Sequence, residues 1–321
     1  MTGRVENEIK INNNIQVLLE DLPEYVSDYY YNIQVSNTPN TCRQYIRDIK
    51  NFLIYIDMDI ASVNDAVLGK YLQSIKYAGG KKRSEEYVKK IYSCLNQFLQ
   101  YLNNKNIIDD NPMKLIKRPS KKDHVERYYL DMKDLSKILE SVIHDYGSQW
   151  QSRDYAILFI LMVTGMRRTA LSEINIEDID FKAKEIKVVD KRDKLQIYVI
   201  TDEMRDVLLE WIDERDRILK KMNKNSDALF ISSRGERITD KLVYRVTQKY
   251  SEKALGRKVS PHKLRASFAV LYYEKSGHDI EATRDAMGHS DIAITGRYIT
   301  KNNKARCDSA NFMSSGLTKK N

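Results

Sequence analysis

The sequence predicts a mainly α protein: a small helical N-terminal domain, then an α-rich C-terminal domain with one small antiparallel β-sheet. Three observations predict it. Apolar residues recur at helical spacing along most of the 321 residues. Only "EIKVVD" (185–190) and "LQIYVI" (195–200) read as short strands, joined by a charged turn. A Pro-broken basic stretch, 108–127, separates the two patterned halves.

Residues 1–20 read as a flexible lead-in with an Asn patch at Asn12, Asn13 and Asn14. Residues 21–107 read as the first helical domain. In "NTCRQYIRDIKNFLIYI" the apolar stripe is Tyr45, Ile49, Phe52, Leu53 and Ile56, with Thr41 as the expected cap. "SVNDAVLGKYLQSIKY" repeats the pattern with Val67, Leu68, Tyr71, Leu72 and Ile75. "SEEYVKKIYSCLNQFLQYLNNK" does so from Val88 to Leu102, after the Gly-hinged turn "AGGKKRSE". Pro112 and Pro119 then break helices, and Lys117, Arg118, Lys121, Lys122 and Arg127 make 108–127 an expected exposed linker.

The second domain is expected over 128–302. "DMKDLSKILESVIHDY" opens it, and "SRDYAILFILMVTGMR" is apolar enough to be a buried helix ending near Thr164-Gly165. After the hairpin come four more helical patterns, beginning near Asp202, Asp240, His262 and Asp279. Residues 303–321 carry few apolar side chains and read as a tail, with Phe312 and Met313 as the anchors if it docks on a second copy.

With 42% hydrophobic and 31% charged residues the chain can bury a sizeable core. It has no run of about 18 apolar residues, so no transmembrane helix is expected. The polar N-terminus, MTGRVENEIKINNN, lacks the apolar region of a signal peptide. Three scattered cysteines, Cys42, Cys94 and Cys307, point to a reducing cytoplasm. A net charge of +9 favours a polyanionic partner, nucleic acid first.

Five stretches of the second half set polar, mostly cationic residues where core elements end. They present Arg167, Lys191, the pair His262 and Arg265, His289, and Tyr298. Singly, each has an ordinary reading. Arg167 can cap a helix C-terminus, Lys191 can be a solvated turn lysine, and Tyr298 can be a packing tyrosine. Together they hold no carboxylate pair and no metal-ligand spacing. Two arginines can clamp one phosphate in bidentate fashion. Preorganised donors then meet the charge of a pentacoordinate transition state. A phenol near pKa 10 becomes a nucleophile only where cations lower its pKa. A lysine can protonate a departing alkoxide, and histidines can shuttle protons. These groups suit metal-free phosphoryl transfer to tyrosine.

On these residues the chain resembles the tyrosine recombinases, or phage-type integrases. The first-arginine motif matches Thr164-Gly165-Met166-Arg167, the hairpin lysine Lys191, and the His-x-x-Arg box His262 to Arg265. The Gly-His step and the tyrosine nine residues later match Gly288-His289 and Tyr298. Thr41 to Tyr45 and Asn111-Pro112 resemble the family's core-binding domain, so the likeness covers about residues 22 to 301. The resemblance implies a SAM-like core-binding domain before the catalytic domain. It implies attack by Tyr298 on a DNA phosphate held by Arg167 and Arg265. Lys191 would protonate the 5′-oxygen, His262 would assist the tyrosine, and His289 would bond a phosphate oxygen. Neither metal, ATP nor another cofactor is implied. The implied partners are double-stranded DNA with a specific recombination site, three further copies of the chain on two duplexes, and an accessory DNA-bending or directionality protein. Expected DNA contacts are Arg43, Arg47, Lys89, Lys90, Lys117, Arg118, Arg168, Arg245 and Lys249.

The chain departs from the pattern in places. The hairpin turn lacks the usual glycines, which leaves Lys194 as a rival to Lys191 for the acid. Ala170 stands where an acid often orients the first arginine, and Ala266-Ser267 where His-Thr is common. Two other functions stay open at this level: a type IB topoisomerase-like nicking and resealing enzyme, and a non-catalytic DNA-binding relative. Among recombinases, the looser match around the motifs favours a mobile-element or inversion role over housekeeping.

Overall fold

The computed structural model describes residues 3–80, 82–119, 128–190 and 194–288. The chain divides into two compact units, 1–125 and 126–321, each built on its own apolar core.

The first unit is helical: α1 (Gly3–Leu19), α2 (Glu24–Ile33), α3 (Pro39–Tyr55), α4 (Asp65–Lys76) and α5 (Glu85–Asn104). The expected stripes are the buried ones. Ile49, Phe52 and Leu53 of α3 and Leu95, Phe98, Leu99 and Leu102 of α5 are wholly enclosed. Tyr29 meets Phe98 edge-on, with centroids 5.2 Å apart, a favoured aromatic geometry. Side-chain oxygens start these helices: Asn64 accepts from the amide of Val67, and Ser84 from that of Tyr87.

Three expectations for this unit are corrected. Residues 3–19 are helix α1, which packs on α3 and buries Ile11, Ile15 and Leu19. The spacing i, i+4, i+8 was present beneath the Asn patch. The cap of α3 is Thr38, whose hydroxyl accepts from the amide of Thr41. The first part of 108–127 is packed rather than exposed. Met113 lies in the core of the unit, and Tyr92 Oη donates to the carbonyl oxygens of Met113 and Ile116 at 3.3 and 3.0 Å. Asn111 caps this one-turn 3₁₀ helix by accepting from the amide of Met113. Lys117 and Arg118, which follow, are exposed.

The second unit holds α6 (Met132–Ile143), α7 (Gln151–Thr164), α8 (Arg168–Glu173), β1 (Ile179–Asp180), β2 (Glu185–Asp190) and β3 (Lys194–Val199). It continues with α9 (Asp202–Met222), α10 (Asp240–Leu255), α11 (Pro261–Lys275) and α12 (Ile280–Ala286). As its apolar sequence requires, α7 is central: Ile157, Leu158, Ile160 and Leu161 are enclosed, and α6, α9 and α11 pack around it. The strands form an antiparallel sheet in the order β1-β2-β3. Glu185 pairs with Val199 and Asp190 with Lys194, so Ile186, Val188 and Tyr198 turn inward. α8 and β1 are shorter than a periodicity window and escaped the sequence reading. Among the described residues no helix is long and apolar enough to cross a membrane.

Replacing the enclosed Ile15 by Ala should destabilise the first unit by about 2–5 kcal/mol, read from its denaturant unfolding transition. A flexible lead-in would give no change.

Candidate active site

The site begins where α7 ends. Gly165 adopts the left-handed conformation (φ 60°) that closes a helix and that a Cβ disfavours. Thr164 Oγ1 donates to the carbonyl oxygen of Ile160 at 2.6 Å and accepts from the amide of Met166 at 3.1 Å. Met166 is buried. The turn is therefore tied at each residue before it delivers Arg167, which is half-buried at the N-cap of α8.

α11 supplies the next two groups. Ser260 caps it by accepting from the amide of Lys263, and Pro261 occupies its first turn. Arg265 is only 3% exposed. Its guanidinium donates through Nη1 to the carbonyl oxygen of Gly165 and through Nη2 to that of Met287, the latter at 2.7 Å. Arg265 thus joins the turn that launches Arg167 to the turn that ends at Gly288. Ser267, at the unusual Ala266-Ser267 step, is buried. It accepts from the amide of Leu130 and donates to the carbonyl oxygen of Lys263, both at 2.9 Å. The start of the unit is thereby fastened to α11.

The hairpin meets the same region. Gly288 also has positive φ (61°), and a Cβ placed there would lie 2.0 Å from Gln196 Oε1 of β3. A side chain there would have to displace the end of Gln196 and adopt a strained positive φ. Lys191, His289 and Tyr298 lie outside the described residues. Their described neighbours are Asp190, paired with Lys194 across the hairpin, and Gly288 against β3.

His262 lies among the cations. Loss of water around its ring, then the charges of Arg265, Arg167, Arg168 and Lys263, hold its pKa below the usual value. The residue as a whole is exposed. That limits the desolvation and makes the four cations the firmer cause. Arg167, His262 and Arg265 are therefore brought together in the second unit.

The expected DNA contacts differ in setting. Arg168 is exposed, pairs with Asp240 at 3.1 Å and lies over the Tyr244 ring. With Lys241, Tyr244 and Arg245 it lines an open hollow of about 300 Å³. Lys249 is otherwise committed: it binds Asp145 at 2.7 Å and lies over the Tyr250 ring. In the first unit Arg47 and Lys90 are exposed, Lys89 is half-buried, and half-buried Arg43 donates to Asn40 at 3.0 Å. Two residues that shape the site were missed, Phe268 and Gln196. Glycines at Gly165 and Gly288 signalled unusual backbone, but not which side chains fill the space beside them.

The second unit thus gathers cations at the ends of helices, in an α-rich domain with a three-stranded sheet. The sequence pattern described as the phage integrase family matches residues 128–305. The chain belongs to this family, the tyrosine recombinases. It is 28% identical to tyrosine recombinase XerC of Thermodesulfovibrio yellowstonii, over 85% of this chain and 90% of that protein. It is 28% identical to tyrosine recombinase XerD of Oceanobacillus iheyensis, over 88% and 94%. Its fold is similar to that of the XerH site-specific recombinase in a post-cleavage complex with a palindromic difH substrate. That match has TM-score 0.67 and 20% identity, over 90% of this chain and 84% of the other. A lambda integrase dimer bound to a COC′ core site matches with TM-score 0.63 and 17% identity, over 86% and 94%.

Because the folded pKa of His262 is depressed, its neutral form belongs to the native state. Its contribution to stability is present above about pH 6.5 and is lost as pH falls through the lower folded value. An NMR titration should place the His262 ring below about pH 6.5. Arg167→Gln should move it upward. Separately, Gly288→Ala should cost about 1–2 kcal/mol for its left-handed backbone alone. Gln196→Ala should relieve only the part due to the clash, as read from melting curves of the two variants and the double variant.

Proposed function

We propose that the chain is a site-specific DNA recombinase that cuts and rejoins duplex DNA through a 3′-phosphotyrosine, for integration, excision or inversion. The observation that carries this reading is the buried Arg265, whose guanidinium ties the Arg167 turn to the step before His289. That tie supports a common phosphate site for Arg167 and Arg265. Membership of the family and curated relatives named as recombinases favour strand exchange over nicking and resealing.

In the proposed step Arg167 and Arg265 bind the non-bridging oxygens of the scissile phosphate, and His289 adds a hydrogen bond. Tyr298 Oη attacks phosphorus as its proton passes toward neutral His262. The bond from phosphorus to the 5′-oxygen breaks, and Lys191 gives that oxygen its proton. The products are a 3′-phosphotyrosyl link and a free 5′-hydroxyl. The 5′-hydroxyl of a partner strand attacks that link in the reverse sense, which restores the phosphodiester and the phenol. The ester bond is conserved throughout, so the balance needs no ATP.

Among structures of the same fold is a lambda integrase tetramer bound to a Holliday junction. We assign the same arrangement, four copies on two duplexes, to this chain. Arg168 and Arg245 are the proposed contacts of the second unit, and Arg43, Arg47, Lys89, Lys90, Lys117 and Arg118 those of the first. An accessory bending or directionality protein would act on the choice of sites rather than on the chemistry. A cytoplasmic setting fits this reading.

The test uses nicked suicide duplexes in EDTA, with DNA flanking the protein's own coding region in the library. Wild type should give DNA-linked protein on a denaturing gel, and Tyr298→Phe none. Adducts that persist in the variant would assign the nucleophile elsewhere. For the acid, Lys191→Ala should cleave slowly and recover on a substrate whose 5′-bridging atom is sulfur, since a thiolate leaves without a proton. Recovery by Lys194→Ala instead would move the role to Lys194. Binding should weaken steeply with salt, and less steeply in Arg168→Ala.

A further inference from the structure

We propose that Phe268 is a positioning residue for Arg167. The proposal rests on the phosphate-binding role assigned to Arg167 above.

The ring of Phe268 occupies the space that a side chain on Gly165 would need. A Cβ at Gly165 would lie 2.5 Å from Cδ1, 2.9 Å from Cγ and 3.1 Å from Cε1 of that ring. Phe268 follows Arg265 by three residues, so both lie on one face of α11. Arg265 holds the carbonyl oxygen of Gly165 while Phe268 packs on its α-carbon. One helix face thus grips one glycine from two sides. The ring of Tyr272, one turn on, stacks with that of Phe268, centroids 6.0 Å apart and planes 7° apart.

Arg167 depends on this grip. It begins α8, a helix of six residues, too short to be rigid by itself. Its backbone is set by the turn before it, through Thr164, Gly165 and the buried Met166. Phe268 is only half-buried, so its removal need not empty the interior. What it fixes is the left-handed turn two residues before the guanidinium. A misplacement near 1 Å at a reacting centre costs on the order of 100-fold in rate.

The experiment compares wild type, Phe268→Leu and Phe268→Tyr on the suicide duplex at saturating DNA. Phe268→Leu should slow covalent adduct formation by roughly 10- to 100-fold, with DNA affinity unchanged. Phe268→Tyr keeps the ring and should restore the rate to within a few-fold. A methylphosphonate at the scissile position removes one charged oxygen and part of the need for an arginine clamp, so the gap should narrow there. Equal rates for Phe268→Leu and wild type, or a gap of the same size on both substrates, would overturn the proposal. A second reading needs no cleavage. The Arg167 Nε–Hε resonance of ¹⁵N-labelled protein, assigned with Arg167→Lys, should move in Phe268→Leu and return in Phe268→Tyr. An unmoved resonance would also overturn it. Wild type that forms no adduct would instead count against the proposed function, and the resonance would still decide the positioning role. Should Phe268→Leu fail to fold, Phe268→Met, unbranched and adaptable, takes its place in both measurements.

Discussion

The site depends on one buried cation. A guanidinium taken out of water is costly unless its donors are met, and removing its acceptors leaves an uncompensated charge. Arg265 meets two of its N–H groups with backbone carbonyl oxygens, one from Gly165 and one from Met287. Both acceptors lie in turns at the ends of helices, where carbonyl groups lack intrahelical partners. The cost of burying the charge and the cost of ending two helices are thus offset by the same bonds. The result is a fixed distance between segments that the fold could otherwise have left independent.

Around that anchor several cations act together on His262, although Arg168 is also paired with Asp240. Arg167, Arg168, Arg265 and Lys263 all act on His262 in the same direction. Like charges held together are unfavourable, and each raises the free energy of the unliganded site. A phosphate relieves that repulsion as it binds, and a transition state carrying more negative charge relieves it further. Under the proposed function, such a site would favour developing negative charge over a resting diester. The net charge of +9 extends the same bias to long range.

Much of this was legible in the sequence. α3 and α5 showed their buried faces through spacing, α7 its burial through its apolar run, and Arg167, His262 and Arg265 stood in short ordered motifs. What escaped had physical reasons. The polar Asn12, Asn13 and Asn14 hid the apolar stripe Ile11, Ile15 and Leu19 of α1. Lys117, Arg118, Lys121, Lys122 and Arg127 made 108–127 look like an exposed linker, although Met113 anchors its first part in a core. α8 and β1 are too short to carry a period. Phe268 and Gln196 could not be paired with Gly165 and Gly288 by reading along the chain, because those contacts are made only in three dimensions.

That non-locality bears on how the chain matures. Gly165 and Arg265 are 100 residues apart in sequence, and Arg265 and Met287 are 22 apart. Closing the larger loop must await most of the second unit, since chain entropy delays distant contacts. A nascent chain, or one partly opened by heat, would still carry Arg167 and Arg265 but would not hold them together. Under the proposed function, the hazard of cutting DNA is thus confined to a folded second unit.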